Sequence, residues 1–239
     1  NSAEKASAHL KAGAKRVVIS APAKGEVEHV LCGANEDRLS SPSLGEITSN
    51  ASCTTNAVVP VAAVLMGNPG VKKAILNTVH GYTASQALVD GPSAKDFRRG
   101  RAAAQNIIPA DTGAAKATAK SIPSYEKIFD GIAMRVPVIS GSIIDFTFLA
   151  KRKTSVEEIN NILREAARSE IWRKILKVSE EPIVSSDVVG EPYGSIVDLT
   201  FTRVVDDDLV KVLSWYDNEW GYSHTLLEHV IKVGQLTKK

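Results

Sequence analysis

The chain has 239 residues, of which 44% are hydrophobic and 23% are charged, as in an ordinary globular protein. The formal net charge is +2, so nothing indicates a specific nucleic-acid partner or an acidic membrane surface. Two cysteines are too few for a disulfide framework or a cysteine-based zinc site, and no apolar run reaches the length of a membrane span. We therefore expect a sizeable core and a reduced, cytoplasmic compartment.

The first part of the chain predicts a helix followed by short strands. Asn1 or Ser2 is a candidate N-cap for a helix over 3–12, with Gly13 after it. Short apolar runs predict strands at 16–20, 29–35 and 46–50. Because the chain starts within this pattern and has no initiating methionine, we expect it to be a fragment.

The stretch "SNASCTTN" (49–56) surrounds Cys53 with hydroxyl and amide side chains and precedes a long apolar run. This pattern predicts a helix that begins at or next to Cys53, bends at Pro60 and ends at "NPG" (68–70). A helix N-terminus offers partial positive charge and free N–H groups, which lower the pKa of a thiol. Cys53 is therefore a candidate nucleophile, and a merely packed cysteine is the alternative. Cys32, in an apolar run, is expected to be a packed residue.

The remainder of the chain predicts long strands with few helices. Strands are predicted at 71–80, 131–138, 142–151, 194–203 and 209–217, and helices at 112–123, 155–168 and 221–236. Residues 81–110 show no period and are predicted to be a long functional loop. Together with the first strands, this order predicts an α+β fold, with an antiparallel-sheet catalytic domain beside the residual strands and C-terminal helix of a Rossmann α/β domain.

His80 ends a predicted strand and precedes the polar stretch "GYTASQ" (81–86). A histidine in that place can reach a cysteine on a neighbouring element and serve as its base, although a solvent-facing histidine fits equally well. The other histidines, His9, His29, His224 and His229, lie in settings that favour no chemistry, and no metal site is predicted.

Several residues of the kind that bind oxyanions accompany this pair. Arg135 lies in an apolar strand and therefore needs a partner or an anionic ligand. Arg99 lies in the long loop, and Thr112 and Gly113 begin a predicted helix, where backbone N–H groups bind phosphate. With Thr54 and Thr83 these residues could form anion sites, although a solvated arginine loop remains the simpler interpretation.

Six segments together resemble the phosphorylating glyceraldehyde-3-phosphate dehydrogenase family, in that family's order and approximate spacing. They are "SNASCTTN", "HGYTASQ", "DGPSAKDFRRGRAAAQNIIP", "TGAAKA", "MRVPV" and "WYDNEWGYS". The resemblance extends over about residues 3–236. It implies the glycolytic oxidation of glyceraldehyde 3-phosphate to 1,3-bisphosphoglycerate, through a thiohemiacetal and then a thioester on a cysteine.

The resemblance also implies a role for each matching residue. Cys53 is the implied nucleophile and His80 its base. The implied substrate- and phosphate-binding residues are Ser52, Thr54, Thr83, Arg99, Thr112, Gly113 and Arg135, and the implied cofactor-binding residues are Asn218 and Tyr222. Ser85 stands where some relatives carry an acidic residue.

The resemblance further implies NAD as cofactor, with NADP left open, and a homotetramer whose long loop packs on a neighbouring subunit. No Gly-x-Gly occurs, so most of the dinucleotide-binding segment is expected to be absent and the chain alone to be inactive. The implied division is 1–52 for the rest of the dinucleotide-binding domain, 53–220 for the catalytic domain and 221–239 for a returning helix. Erythrose-4-phosphate dehydrogenase and a non-catalytic assembly or binding fragment are the alternatives.

Overall fold

The computed structural model describes residues 2–93 and 96–236. Its first part is helix α1 (Ala3–Lys11), followed by a three-stranded parallel sheet in the order β1 (Val17–Ile19), β3 (Ile47–Ser49), β2 (Glu28–His29). Ser2 caps α1, as predicted, because its hydroxyl oxygen accepts the Lys5 N–H at 3.3 Å.

The predicted strand over 29–35 is wrong, because the chain turns after His29. The Asn35 side chain accepts the Leu31 N–H at 2.8 Å and donates to the His29 carbonyl at 2.9 Å. These bonds close a turn where the apolar run had indicated extended chain. Cys32 therefore lies in a buried turn and not in a strand.

A seven-stranded mixed sheet forms the larger part of the molecule. Its strands, in chain order, are β4 (Val71–Gly81), β5 (Ile108–Asp111), β6 (Phe129–Val136), β7 (Ser142–Ala150), β8 (Leu176–Ser179), β9 (Ser195–Val205) and β10 (Leu209–Tyr216). The spatial order is β5-β6-β4-β7-β10-β9-β8, with parallel pairs at β4–β6 and β8–β9 and antiparallel pairs elsewhere. The predicted α+β class is confirmed.

Helices cover one face of this sheet. They are α2 (Cys53–Gly67), α3 (Ala114–Ser121) and α4 (Val156–Arg168), whereas α5 (Trp220–Leu236) packs against α2 and, through His229 and Thr48, against the smaller sheet. The helix α2 lies against strands of the sheet and against the other three helices, and Val58, Val61 and Leu65 are fully buried there. In the described residues, no helix is both long enough and apolar enough to cross a membrane.

The segment 81–110 has more order than the sequence indicated. A short 3₁₀ helix (Phe97–Gly100) folds back on the segment, since the Ala87 N–H donates to the Arg99 carbonyl and the Gly91 N–H to the Gly100 carbonyl. Residues 94 and 95 lie outside the described residues, as do Asn1 and 237–239. The predicted domain boundary after residue 52 falls between β3 and α2, and the division into domains stays a prediction.

Candidate active site

Cys53 is the first residue of α2, directly after its N-cap. The Ser52 hydroxyl oxygen accepts the Thr55 N–H at 3.1 Å, so the helix begins as the sequence predicts. Burial raises the pKa of the Cys53 thiol, against the lowering expected from a helix N-terminus alone. Hydrogen bonds from the Thr54 N–H and hydroxyl and the charge of Arg135 act in the lowering direction.

His80 lies near the end of β4 with its ring against the thiol. Its Nε2 is 3.5 Å from the Cys53 Sγ, and its Nδ1 is 2.6 Å from the Gly81 carbonyl oxygen. That oxygen can only accept, whereas the Arg135 Nη1, 2.5 Å from the same nitrogen, can only donate, so the two contacts favour opposite tautomers of the ring. The tautomer with its proton on Nδ1 presents the Nε2 lone pair to the sulfur. Burial first, and the Arg135 charge second, lower the pKa of His80 to about 4. The imidazole is therefore neutral at physiological pH and can act as a base.

Arg135 reaches this pair from β6. The parallel pairing of β4 with β6 places it directly opposite His80. Its Nη1 lies 2.5 Å from the His80 Nδ1 and 3.1 Å from the Gly81 carbonyl oxygen. Its Nε is shielded from solvent and has no acceptor among the described residues. A half-buried guanidinium with a spare donor has the chemistry of an anion site.

A chain of buried hydroxyl groups lies behind the nucleophile. The Tyr216 hydroxyl is 2.9 Å from both the Thr54 and the Thr78 hydroxyl oxygens, and burial raises the pKa of Tyr216. Its ring meets that of His80 edge to face, with the centroids 5.9 Å apart. The sequence analysis missed Tyr216, although the two-residue period of β10 places it on the same buried face as Val212 and Ser214.

Three polar side chains from the segment 81–110 form an exposed cluster near Arg135. The Thr83 and Ser85 hydroxyl oxygens are 2.9 Å apart, and Arg99 Nη1 donates to Ser85 at 3.1 Å. Arg99 also forms a 3.7 Å ion pair with Asp96. The charge of Arg99 contributes to lowering the pKa of Arg135, after the larger effect of burial, so the two guanidinium groups act on each other.

Ser52 and Thr54 are engaged within the protein. The Ser52 hydroxyl caps α2 and lies 2.7 Å from the Thr55 hydroxyl, and the Thr54 hydroxyl belongs to the buried chain described above. Thr112 and Gly113 lie at the start of α3, where the Thr112 hydroxyl oxygen accepts the Ala114 N–H at 3.2 Å. These residues therefore offer mainly backbone N–H groups to an anion.

Asn218 and Tyr222 approach the site from the beginning of α5. The Ser142 hydroxyl donates to the Asn218 Oδ1 at 3.0 Å, and within the described residues the Asn218 NH₂ group donates to no protein acceptor. The Tyr222 hydroxyl donates to the Ala51 carbonyl at 3.1 Å, and burial raises its pKa to about 12. The structure thus brings Tyr222 to the segment that precedes Cys53, whereas Asn218 lies at the start of β7, where the Ser142 hydroxyl oxygen also accepts the Gly81 N–H at 3.2 Å.

Comparison with known proteins gives matches over most of the chain. A family model described as the C-terminal domain of glyceraldehyde 3-phosphate dehydrogenase matches residues 52–218. A glyceraldehyde-3-phosphate dehydrogenase of Mycobacterium bovis (strain BCG / Pasteur 1173P2) is 48% identical over 233 residues, which cover 98% of this chain and 67% of the relative. A second relative, glyceraldehyde-3-phosphate dehydrogenase 2 of Streptomyces avermitilis, is 47% identical over 226 residues, or 95% of this chain and 67% of the relative.

Proposed function

Because the chain belongs to the glyceraldehyde 3-phosphate dehydrogenase family and matches its C-terminal domain, we propose that this site oxidises glyceraldehyde 3-phosphate with NAD and inorganic phosphate. The product is 1,3-bisphosphoglycerate. The observation that carries the proposal is the contact of 3.5 Å between the Cys53 thiol and the Nε2 of a neutral, buried His80. A thiol beside a positioned base is the arrangement needed for covalent acyl chemistry.

The first step is attack of the Cys53 sulfur on the aldehyde carbon. The His80 Nε2 takes the thiol proton, and the new C–S bond turns the carbonyl oxygen into an oxyanion. The Cys53 N–H, at the open N-terminus of α2, is the available backbone donor for that oxyanion. Return of the proton gives a neutral thiohemiacetal.

In the second step the thiohemiacetal becomes a thioester. His80 removes the hydroxyl proton while a hydride leaves the carbon, and NAD supplies the acceptor for that hydride when it is bound. The free NH₂ group of Asn218 and the ring of Tyr222 are the residues that would hold the nicotinamide end. Phosphate then attacks the thioester carbon, the C–S bond breaks, and the thiolate of Cys53 is regenerated.

Two anion sites complete the proposed machinery. The spare Nε of Arg135 and the neighbouring Thr83 and Arg99 suit the phosphate of the substrate. Backbone N–H groups at the starts of α2 and α3, with Ser52, Thr54, Thr112 and Gly113, suit the attacking phosphate.

An assay with acetyl phosphate tests the thioester half of the mechanism, because that half needs no hydride acceptor. The Cys53 sulfur should displace phosphate from the acyl carbon and retain one acetyl group, which mass spectrometry of the Cys53 peptide detects. The Cys53→Ser variant is the control for acetylation elsewhere. Reduction of NAD with glyceraldehyde 3-phosphate and phosphate, measured beside erythrose 4-phosphate, tests the whole reaction once the chain is joined to a dinucleotide-binding segment of a relative, because the chain alone is expected to be inactive. Absence of Cys53 acetylation in folded protein would contradict the proposal.

We also propose that the protein works as a homotetramer in the cytoplasm. Support comes from the uncovered face of the large sheet, which exposes the large apolar side chains Ile75, Ile132, Phe201, Val205 and Leu209. Apolar residues on one sheet face are usually covered by another layer, and a second copy of the chain can supply it.

A further inference from the structure

The residue two positions before the nucleophile has an unusual backbone. Ala51 is fully buried and has a φ of 53°. A residue other than glycine is strained in this left-handed region, and the conformation persists only where its surroundings fix it. The Ala51 conformation directs the chain from the end of β3 into α2, so its persistence sets where Cys53 begins the helix.

Hydrogen bonds fix both peptide groups next to this strained residue. The Ala51 N–H donates to the Ser49 hydroxyl oxygen at 3.0 Å, and the Ala51 carbonyl accepts from Tyr222. Asn50, the preceding residue, is fully buried; its N–H donates to the Ile19 carbonyl at 3.0 Å, and its own carbonyl accepts the Asn56 side-chain amide at 2.8 Å.

The side chain of Asn50 is held by α5. Its Oδ1 lies 3.2 Å from the His229 Nδ1, and its Nδ2 lies 3.4 Å from the Thr225 hydroxyl oxygen. His229 is fully buried, and its Nε2 lies 3.1 Å from the Thr48 hydroxyl. Because an amide oxygen can only accept, the ring proton belongs on Nδ1, and the Thr48 hydroxyl then donates to Nε2. A neutral His229 imidazole can therefore form hydrogen bonds with Asn50 and with Thr48 at the same time.

We propose that His229 is a positioning residue for Cys53. His229 fixes the Asn50 side chain and thereby stabilises the strained backbone conformation of the next residue, Ala51. That conformation keeps the Cys53 thiol in contact with His80. This inference rests on the proposed role of Cys53 as nucleophile. It gives a role to a histidine for which the sequence predicted no chemistry. The position of His229, four residues after Thr225 and four before Val233, places it on the buried face of α5.

Two substitutions of nearly equal shape separate the hydrogen bond from the packing. Asparagine at position 229 keeps an amide donor close to the place of the ring Nδ1, whereas leucine offers none and leaves Asn50 Oδ1 without its partner. Displacement of a reacting group by about 1 Å can cost up to about 100-fold in rate. We therefore expect H229L to slow iodoacetamide alkylation of Cys53 at pH 7.5 by about three- to thirtyfold. H229N should keep most of the wild-type rate.

The Thr48→Val variant is the matched control, because it removes the other hydrogen bond of His229 and leaves the contact with Asn50. Its melting temperature should fall, yet Cys53 should react at the wild-type rate. If H229L does not fold, Asn50→Ala serves instead. This variant removes the oxygen that accepts the His229 ring proton, and it should slow alkylation of Cys53 at least threefold. Adding H229N to Asn50→Ala should then have no further effect on that rate.

The outcomes separate this inference from the proposed function. A Cys53 that is unreactive in the unmutated chain overturns both. A reactive Cys53 whose rate is unchanged in H229L, or is lowered equally in H229L, H229N and Thr48→Val, overturns the positioning role alone. Slow reaction in H229L with recovery in H229N supports it.

Discussion

Arg135 acts electrostatically on both members of the Cys53–His80 pair. Its positive charge favours the thiolate over the thiol and neutral imidazole over imidazolium. It therefore lowers the pKa of both groups, in opposition to burial at Cys53 and in the same direction as burial at His80. Besides the contact with substrate phosphate that we propose for it, Arg135 therefore influences the protonation of both Cys53 and His80.

Replacing this charge should move the reactivity of Cys53 to higher pH. In Arg135→Met, the pKa values of both Cys53 and His80 are expected to rise, because the same cation lowers both. Less thiolate is then present at any pH below the thiol pKa, so alkylation at pH 7 should slow several-fold. The pH profile of iodoacetamide alkylation measures this shift. Arg101→Met, which removes an exposed arginine paired with Asp90, is the control and should leave the profile in place.

The two cysteines should differ in reactivity. Burial raises the pKa of Cys32 to about 11, and that thiol is only 5% exposed, whereas Cys53 is partly exposed beside a base. Limited alkylation near neutral pH, followed by peptide mass spectrometry, should label Cys53 at least about tenfold faster. Equal labelling of the two cysteines in folded protein would contradict the assignment of Cys53 as nucleophile.

The start of α2 affects both the stability of the fold and the reactivity of Cys53. Ser52→Ala removes the N-cap and should lower the free energy of unfolding by about 1 kcal/mol. The substitution should also slow alkylation of Cys53, because the first turn of α2 then positions the thiol and the nearby N–H donors less firmly. Chemical denaturation and alkylation rates measure the two effects.

Ser155→Ala is the matched control for this prediction. Ser155 caps α4 by the same bond, its hydroxyl oxygen accepting the Glu158 N–H at 3.2 Å, and it begins a different helix. Ser155→Ala should lower the free energy of unfolding by a similar amount, about 1 kcal/mol, and leave the alkylation rate of Cys53 unchanged. If both variants slow Cys53 alike, the cap at Ser52 has no specific part in the chemistry.

The sequence predicts those helices and strands whose positions are determined by local patterns. The cap before Cys53, the strand that ends near His80 and the amphipathic helix α4 all follow from short-range periodicity and turn chemistry. The contact of Arg135 with His80 depends on the parallel pairing of β6 with β4, which no local pattern encodes. The turn after His29 depends on a side-chain bond from Asn35, which an apolar run conceals.

Buried polar residues were the hardest to foresee. His229 and Tyr216 look in sequence like ordinary members of a helix and a strand, and only tertiary packing gives them partners. The strain at Ala51 has no sequence signal, because an alanine in the left-handed region is fixed by its neighbours and not by its own preference. The family motifs supply the proposed set of reacting residues, and the fold shows which side chains support them.

At the scale of the whole molecule, the large sheet has one covered and one open face. Helices bury the alternate residues Leu76, Thr78 and His80 of β4, while Ile75 on the same strand is 59% exposed. On β9 the exposed residues include Phe201 and Val205, again on the open side. The face that supports the active site is therefore internal to one chain, and the opposite face is available for association.

The open face should mediate association of copies of the chain. Phe201→Glu removes a large apolar side chain from the open face and puts a carboxylate there, and burying that charge at an interface is costly even with Arg203 nearby. The variant should therefore weaken association by about tenfold or more, as measured by light scattering over a range of concentrations. Val184→Glu, at an exposed apolar residue outside the strands, is the control and should leave association unchanged. An unmutated chain that stays at 25.6 kDa at every concentration would contradict the prediction, as would equal association of both variants.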